Sequence, residues 1–157
     1  MNRSEATERF WADYCSATGW RGDSYDVIRF GDSDAMADEL LALVLEGRKR
    51  ATASLLRDYE ETGLPVPKTG DHVMVLDGRN LPRCIYRSSD VRIGPLVSVD
   101  EQFAFDEGEG GRSRKWWLDA HRSFFMRQSE AEGFTMHDGI ATVFERFVVV
   151  WPPQAAG

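Results

Sequence analysis

The sequence predicts an α+β fold: a small β-barrel, closed or nearly closed, with helices on its outside and at its mouth. Three observations carry this. Alternating apolar and polar residues recur at His72 to Leu76, Pro82 to Ser88, Val91 to Val99 and Ile140 to Trp151, the pattern of half-buried strands. Asp77-Gly78-Arg79-Asn80 joins the first two runs. Asp-Gly between alternating runs marks a hairpin, because both residues tolerate the positive φ of a tight turn. Other stretches carry apolar residues at helical spacing instead, and they are dispersed among the strands.

In chain order, Ser4 to Thr18 reads as an amphipathic helix with Phe10, Trp11, Tyr14 and Cys15 on one stripe, ended by Gly19. Tyr25 to Phe30 is a short strand, closed by Gly31-Asp32-Ser33. Ser33 or Asp34 caps the next helix, whose apolar positions are Met36, Leu40, Leu43 and Val44. Arg57 to Thr69, with Gly63, Pro65 and Pro67, reads as a loop holding at most one helical turn. After the hairpin, Val91 to Val99 is a separate strand interrupted at Gly94-Pro95, and Asp100 to Asp106 a short helix. Ser113 caps a helix reaching about Glu132, with Trp117, His121, Phe124 and Gln128 on one stripe. Ile140 to Trp151 forms the closing strand, stopped by Pro152-Pro153. The expected organisation is a helical segment (1–24) packing on one domain (25–152), with a short tail (153–157).

Composition narrows the function classes. A chain of 157 residues with 42% hydrophobic and 29% charged residues suits one soluble domain with a sizeable core. No apolar run approaches the roughly 20 residues that span a bilayer. Met1-Asn2-Arg3-Ser4-Glu5 lacks the apolar core of a secretory signal. Cys15 and Cys84 have no metal-ligand spacing and read as free thiols of a cytoplasmic protein. The net charge of −7 repels phosphate backbones and argues against avid, sequence-independent nucleic-acid binding. A small neutral ligand, or RNA gripped by one local basic patch, stays open; no membrane partner is expected, and the chain is a monomer or a dimer.

The stretch Leu45 to Leu56 concentrates the chemistry. Gly47 follows a helix as a left-handed C-terminal cap, three cations (Arg48, Lys49, Arg50) come next, and Thr52 and Ser54 follow. A turn there lets Lys49 and Thr52 face one cleft. Lysine beside threonine makes a base and nucleophile pair if burial depresses the lysine pKa. The plainer reading is that the cations complement a helix C-terminus and Thr52 merely begins a strand.

Gly47-x-Lys49-x-x-Thr52 after an amphipathic helix resembles the signature of the ASCH domains, within the PUA-like superfamily. Phe30-Gly31-Asp32, Ala51 to Leu56 with Tyr59-Glu60, Pro67-Lys68-x-Gly70-Asp71, Glu107-Gly108-Glu109-Gly110, Ser113-x-x-x-Trp117, His121-x-x-Phe124-Phe125 and Phe144 to Phe147 agree in order. The resemblance covers about Phe30 to Trp151 and is to the longer bacterial branch. It implies a PUA-like barrel with a Lys49-Thr52-Glu107 constellation, acting as an amidohydrolase on N4-acylated cytidines, without metal or cofactor. The alternative it carries is an RNA-binding module or ribonuclease.

In that reading Thr52 attacks the acyl carbon or positions a water. Lys49 takes the proton if neutral, or stabilises the oxyanion if charged. Glu107 delivers a proton to the leaving N4 nitrogen or binds the cytosine edge; Glu101, Asp106 and Glu109 are rival carboxylates. Substrate contacts are expected from Arg50, Ser54, Tyr86, Arg87, Ser113, Trp117 and His121, although packing explains Tyr86, Arg87 and Trp117 as well. Arg50 stands where threonine is frequent in the family. His72, His121 and His137 lack zinc-like spacing. Arg48-Lys49-Arg50 and Arg112-x-Arg114-Lys115 are the candidate phosphate contacts of the RNA reading.

Overall fold

In the computed structural model, which describes residues 2–157, one sheet contains β1 (Asp26–Ile28), β2 (Ala51–Leu55), β3 (His72–Leu76), β4 (Pro82–Pro95) and β5 (Ala141–Trp151). Their spatial order is β1-β3-β4-β5-β2. The β1–β3 pairing is parallel and the other three are antiparallel. The sheet curls into a half-barrel, and among the described residues its edge strands β1 and β2 share no ladder. The expected α+β class therefore holds, with the barrel left open between its edges.

Helices α1 (Glu5–Thr18), α2 (Asp34–Leu45), α3 (Leu56–Thr62), α4 (Glu101–Glu107) and α5 (Arg114–Glu132) flank the sheet. Each of the three long ones begins at a serine whose hydroxyl accepts a backbone N–H: Ser4 from Thr7, Ser33 from Met36, Ser113 from Trp116. Alternation along the strands then sorts the core. Val73, Val75, Cys84, Tyr86, Phe147 and Val149 meet Leu41 and Val44 of α2. On the opposite face, α1 packs Trp11 and Tyr14 over Met74 and Ile85. Ala51, Leu55 and Phe144 on that opposite face receive Phe103 of α4 and Trp117 and Phe125 of α5. No described helix is long and apolar enough to cross a membrane.

Two expectations need correction, and two helical stripes divide between core and cavity. β4 is one strand of 14 residues, not two. Its register shifts between Ser88 and Asp90, yet β5 pairs with both halves from Ile85↔Trp151 to Pro95↔Ala141, and a continuous partner carries the strand through the irregularity. Residues 57–62 are helical rather than loop. Arg57 of α3 bonds Glu132 of α5 and Asp58 bonds Gln128, contacts that a local reading cannot contain. On α5 the buried stripe is Trp117, Leu118, Phe125 and Ser129, so His121 and Phe124 turn toward a cavity instead. On α2 the buried positions are Ala37, Leu41 and Val44, and Met36 and Leu40 line that same cavity.

Candidate active site

The α2–β2 connection is set by its glycine. Gly47 sits at φ 87°, so Arg48 N–H donates to the Leu43 carbonyl (2.9 Å) while Gly47 N–H donates to Val44 (3.1 Å). That is the Schellman end of a helix, which satisfies its last carbonyls. Lys49 N–H also reaches the Leu43 carbonyl at 3.0 Å. The backbone therefore aims Lys49 inward before β2 begins.

A second loop is locked to the first. α4 ends at Glu107, and Gly108 (φ 73°) reverses the chain. Arg48 donates through Nε to the Gly108 carbonyl (2.6 Å) and through a terminal nitrogen to the Gly110 carbonyl (2.9 Å). Arg50 N–H donates to the Asp106 carbonyl at 2.7 Å. A Cβ on residue 108 would lie 2.3 Å from the Arg48 carbonyl oxygen, and one on residue 110 would lie 2.0 Å from the Trp116 ring. Glycine is needed at both places on conformational and steric grounds. The Glu-Gly-Glu-Gly motif thus places two carboxylates, Glu107 and Glu109, at one lysine.

Lys49 is 1% exposed, as is Glu107. Lys49 Nζ lies 2.9 Å from Glu109 Oε2, 3.9 Å from Glu107 Oε2 and 5.3 Å from the centre of the Phe30 ring. His121 Nε2 is 3.3 Å from Glu107 Oε2, and its Nδ1 bonds the Trp117 carbonyl at 2.8 Å. The Trp117 ring stacks on the imidazole at 3.8 Å. With Nδ1–H given to a carbonyl, the contact between Nε2 and a carboxylate is attractive only when Nε2 is protonated too. Glu107 Oε2 has no hydrogen bond of good geometry among the described residues, so charge rather than a directed bond holds it.

Electrostatics divides the four groups. Burial alone would drive Lys49 neutral, but Glu107 and Glu109 outweigh it and hold its pKa above the ordinary value. Burial pushes Glu107 up, while the charges of Lys49 and His121 pull harder and keep it well below the usual carboxylate range. Burial, reinforced by the neighbouring Glu107 charge and opposed by Lys49, pushes Glu109 up to about 7. His121 is lowered by burial and raised more strongly by Glu107 and Glu109, with a net rise. The two carboxyls therefore titrate as a pair, in which the neighbouring cations favour the anion at Glu107 and burial favours the proton at Glu109. Of the two roles open to Lys49, these partners favour the charged one, which stabilises an oxyanion.

These groups line a cavity of about 330 Å³, within the range of small-ligand sites, roughly 300–1,000 Å³. Thr52 lines it from β2, and Phe30, Met36, Leu40 and Phe124 give it apolar walls. Ligand atoms of Glu107, Glu109 and His121 lie within 4.8 Å of one another, a spacing that a metal ion uses. Lys49 Nζ, however, already stands against both carboxylates as their cation.

The other candidate residues fall elsewhere. Arg50 turns from the cavity and donates to the carbonyls of Val44, Lys49 and Ala155, which fixes the chain around it. Ser54 shares a hydrogen bond with the Tyr59 hydroxyl (2.7 Å). Tyr86 is 1% exposed and stacks on Phe147, as a core residue. Arg87 is exposed on β4, Ser113 caps α5, and Trp117 is buried beneath His121 rather than open to the cavity. The basic clusters are likewise engaged: Arg48 and Arg50 as described, Arg112 on the Phe105 carbonyl, and Arg114 on the carbonyls of Val97 and Val99. Glu109 and Arg48 matter more than spacing suggests. The signal for Glu109 was the second acidic residue of the Glu-Gly-Glu-Gly motif; for Arg48 no sequence signal tells a carbonyl clamp from a surface cation.

Two solved structures share this architecture. An ASCH domain from Lactobacillus crispatus JV V101 is 30% identical, with a TM-score of 0.84 over 96% of this chain and 97% of its own. A protein from Enterococcus faecalis V583 is 32% identical, with a TM-score of 0.82 over 89% of this chain and 85% of its own. Among curated proteins none matches. The model of the ASCH domain matches residues 26–151, from the first strand of the half-barrel to the last and spanning every residue of the cavity cluster, and the chain belongs to the ASCH domain family.

Proposed function

We propose that the protein is an amidohydrolase that cleaves the exocyclic amide of N4-acylated cytosine nucleosides, yielding a cytosine nucleoside and a carboxylate. The observation that carries this reading is the convergence of Lys49, Thr52 and Glu107 on one apolar-walled cavity. The substrate is neutral and flat, which suits such walls in a protein of net charge −7. Thr52 Oγ attacks the acyl carbon. Lys49, kept protonated by its carboxylate partners, stabilises the oxyanion instead of acting as the base. Glu107, a carboxylate held in its anionic form, accepts the proton of the attacking hydroxyl. The engagement of the basic clusters with backbone carbonyls favours a nucleoside over an RNA chain as substrate.

The test is incubation of the purified protein with N4-acetylcytidine, following the ultraviolet spectrum as it shifts to that of cytidine. Turnover is expected for the unmodified protein, with loss in Thr52→Ala and partial retention in Thr52→Ser, which keeps the hydroxyl. Absence of cytidine, together with tight RNA binding that weakens steeply with salt, would move the assignment to the RNA-binding reading.

A further inference from the structure

We propose that Glu109 is a fourth catalytic residue, paired with Glu107 so that Glu107 takes the proton of the attacking oxygen while Glu109 gives its own to the departing nitrogen. This rests on the amidohydrolase reading and assigns the acid that the Lys49-Thr52-Glu107 set lacks. Glu107 is poorly built to donate. It sits between Lys49 Nζ at 3.9 Å and His121 Nε2 at 3.3 Å, and its side chain is 1% exposed. Glu109 touches the same ammonium at 2.9 Å but keeps 18% of its side chain open, on the cavity side. Both carboxyls line the cavity, and Glu109 is the more open of the two.

The loop that presents Glu109 is built rather than incidental. Arg48 holds the carbonyls on both sides of it, at Gly108 and Gly110. The two glycines admit the Arg48 backbone and the Trp116 ring where any Cβ would collide. Charged groups reach Glu109 from three elements: Lys49 from the α2–β2 connection, Glu107 from α4 and His121 from α5. Arg127 of α5 lines the same cavity, with its guanidinium 3.4 Å from Asp32. Two carboxyls this close repel each other as anions, so a proton on one of them is held the more firmly for the charge on the other.

The step balances. As Thr52 Oγ bonds to the acyl carbon, its proton passes to the Glu107 carboxylate. As the carbon–N4 bond breaks, N4 takes the Glu109 proton and leaves as the neutral amine of the cytosine base. The proton on Glu107 then returns to Glu109. Water repeats the cycle on the threonine ester: its proton goes to Glu107, Thr52 Oγ leaves with the proton of Glu109, and the carboxylic acid is released.

The test compares N4-acetylcytidine with p-nitrophenyl acetate, whose aryl oxide leaves without a proton, in the unmodified protein and in Glu109→Gln. The expected result is a fall in the single-turnover rate of cytidine release of about 100-fold or more on the amide, little change in its KM, and a far smaller loss in the rate of the p-nitrophenolate burst on the ester, which like cytidine release reports acylation alone. Equal losses on both substrates, or no loss on the amide, would overturn the role and leave Glu109 as a counter-ion of Lys49. Where the variant fails to fold or the ester is refused, the pH profile of the unmodified protein decides. Amide turnover must decline as pH rises through about 7, where Glu109 gives up its proton. A profile flat through that range overturns the role. An unmodified protein inert toward N4-acetylcytidine removes the amidohydrolase reading itself, whereas an active protein with an unselective Glu109→Gln removes only this residue's part.

Discussion

Two carboxylates of this protein are buried to nearly the same extent and meet opposite fates. Glu107, at the end of α4, is 1% exposed and remains an anion because Lys49 and His121 flank it. Glu145, in the middle of β5, is 5% exposed and has no salt-bridge partner among the described residues. Its side chain accepts a hydrogen bond from Ser88. Burial, with Asp71 and Asp26 nearby, pushes its pKa up to about 7 against the pull of that bond. Burial alone therefore does not decide the charge state of a carboxyl; the cation beside it does. Glu109 stands between the two cases, sharing Lys49 but losing the competition to Glu107.

Removing the cation breaks the contrast most severely. Lys49→Met leaves the buried Glu107 and Glu109 with only His121 to balance them and is expected to destabilise the fold by about 3 kcal/mol at pH 7, measured by urea denaturation. The loss should shrink in acid, where Glu107 can take a proton and resemble Glu145. N4-acetylcytidine turnover should vanish with the cation. A variant as stable as the parent at pH 7 would show that Glu107 does not depend on Lys49 for its charge.

A backbone change sharpens the same region without touching a charge. Gly108→Ala forces a left-handed residue, at about 1–2 kcal/mol, and drives its methyl into the Arg48 carbonyl. The expected cost is about 2 kcal/mol or more in thermal or chemical denaturation. A cost below that of the conformation alone would mean that Arg48 does not hold the two loops together.

An effect of opposite sign comes from the uncompensated partner. The folded-state pKa of Glu145 is raised, so its contribution to stability is fully present below the unfolded value near 4.5 and is lost as pH rises through about 7. Glu145→Gln stays neutral throughout and can still accept from Ser88. It should therefore be more stable than the parent by up to about 3 kcal/mol above pH 7 and nearly equal to it below pH 4. Part of the parent's decline between those limits should persist in the variant, because Glu109 is raised in the same way. A variant less stable than the parent at pH 8 would show that the fold does not raise the pKa of Glu145.

The sequence by itself determined what local chemistry and periodicity encode. Serine caps placed the starts of α1, α2 and α5, the Asp77-Gly78-Arg79-Asn80 turn closed the hairpin with its positive φ at Asn80 rather than Gly78, and Pro152 ended β5, because each acts within a few residues of itself. The order of Gly47, Lys49, Thr52 and the Glu-Gly-Glu-Gly motif was enough to name the family and most of the cavity cluster. Only the tertiary structure decided the rest. Whether Arg50 faced a ligand or Val44, and whether Tyr86 lay at an edge or under Phe147, depended on neighbours distant in the chain. The continuity of β4 came from β5, and the helicity of α3 from its bonds to α5. The protonation of Lys49 is the clearest case. Burial argues for the neutral amine, and it is overruled by two carboxylates some sixty residues away, delivered by a loop that Arg48 clamps in place.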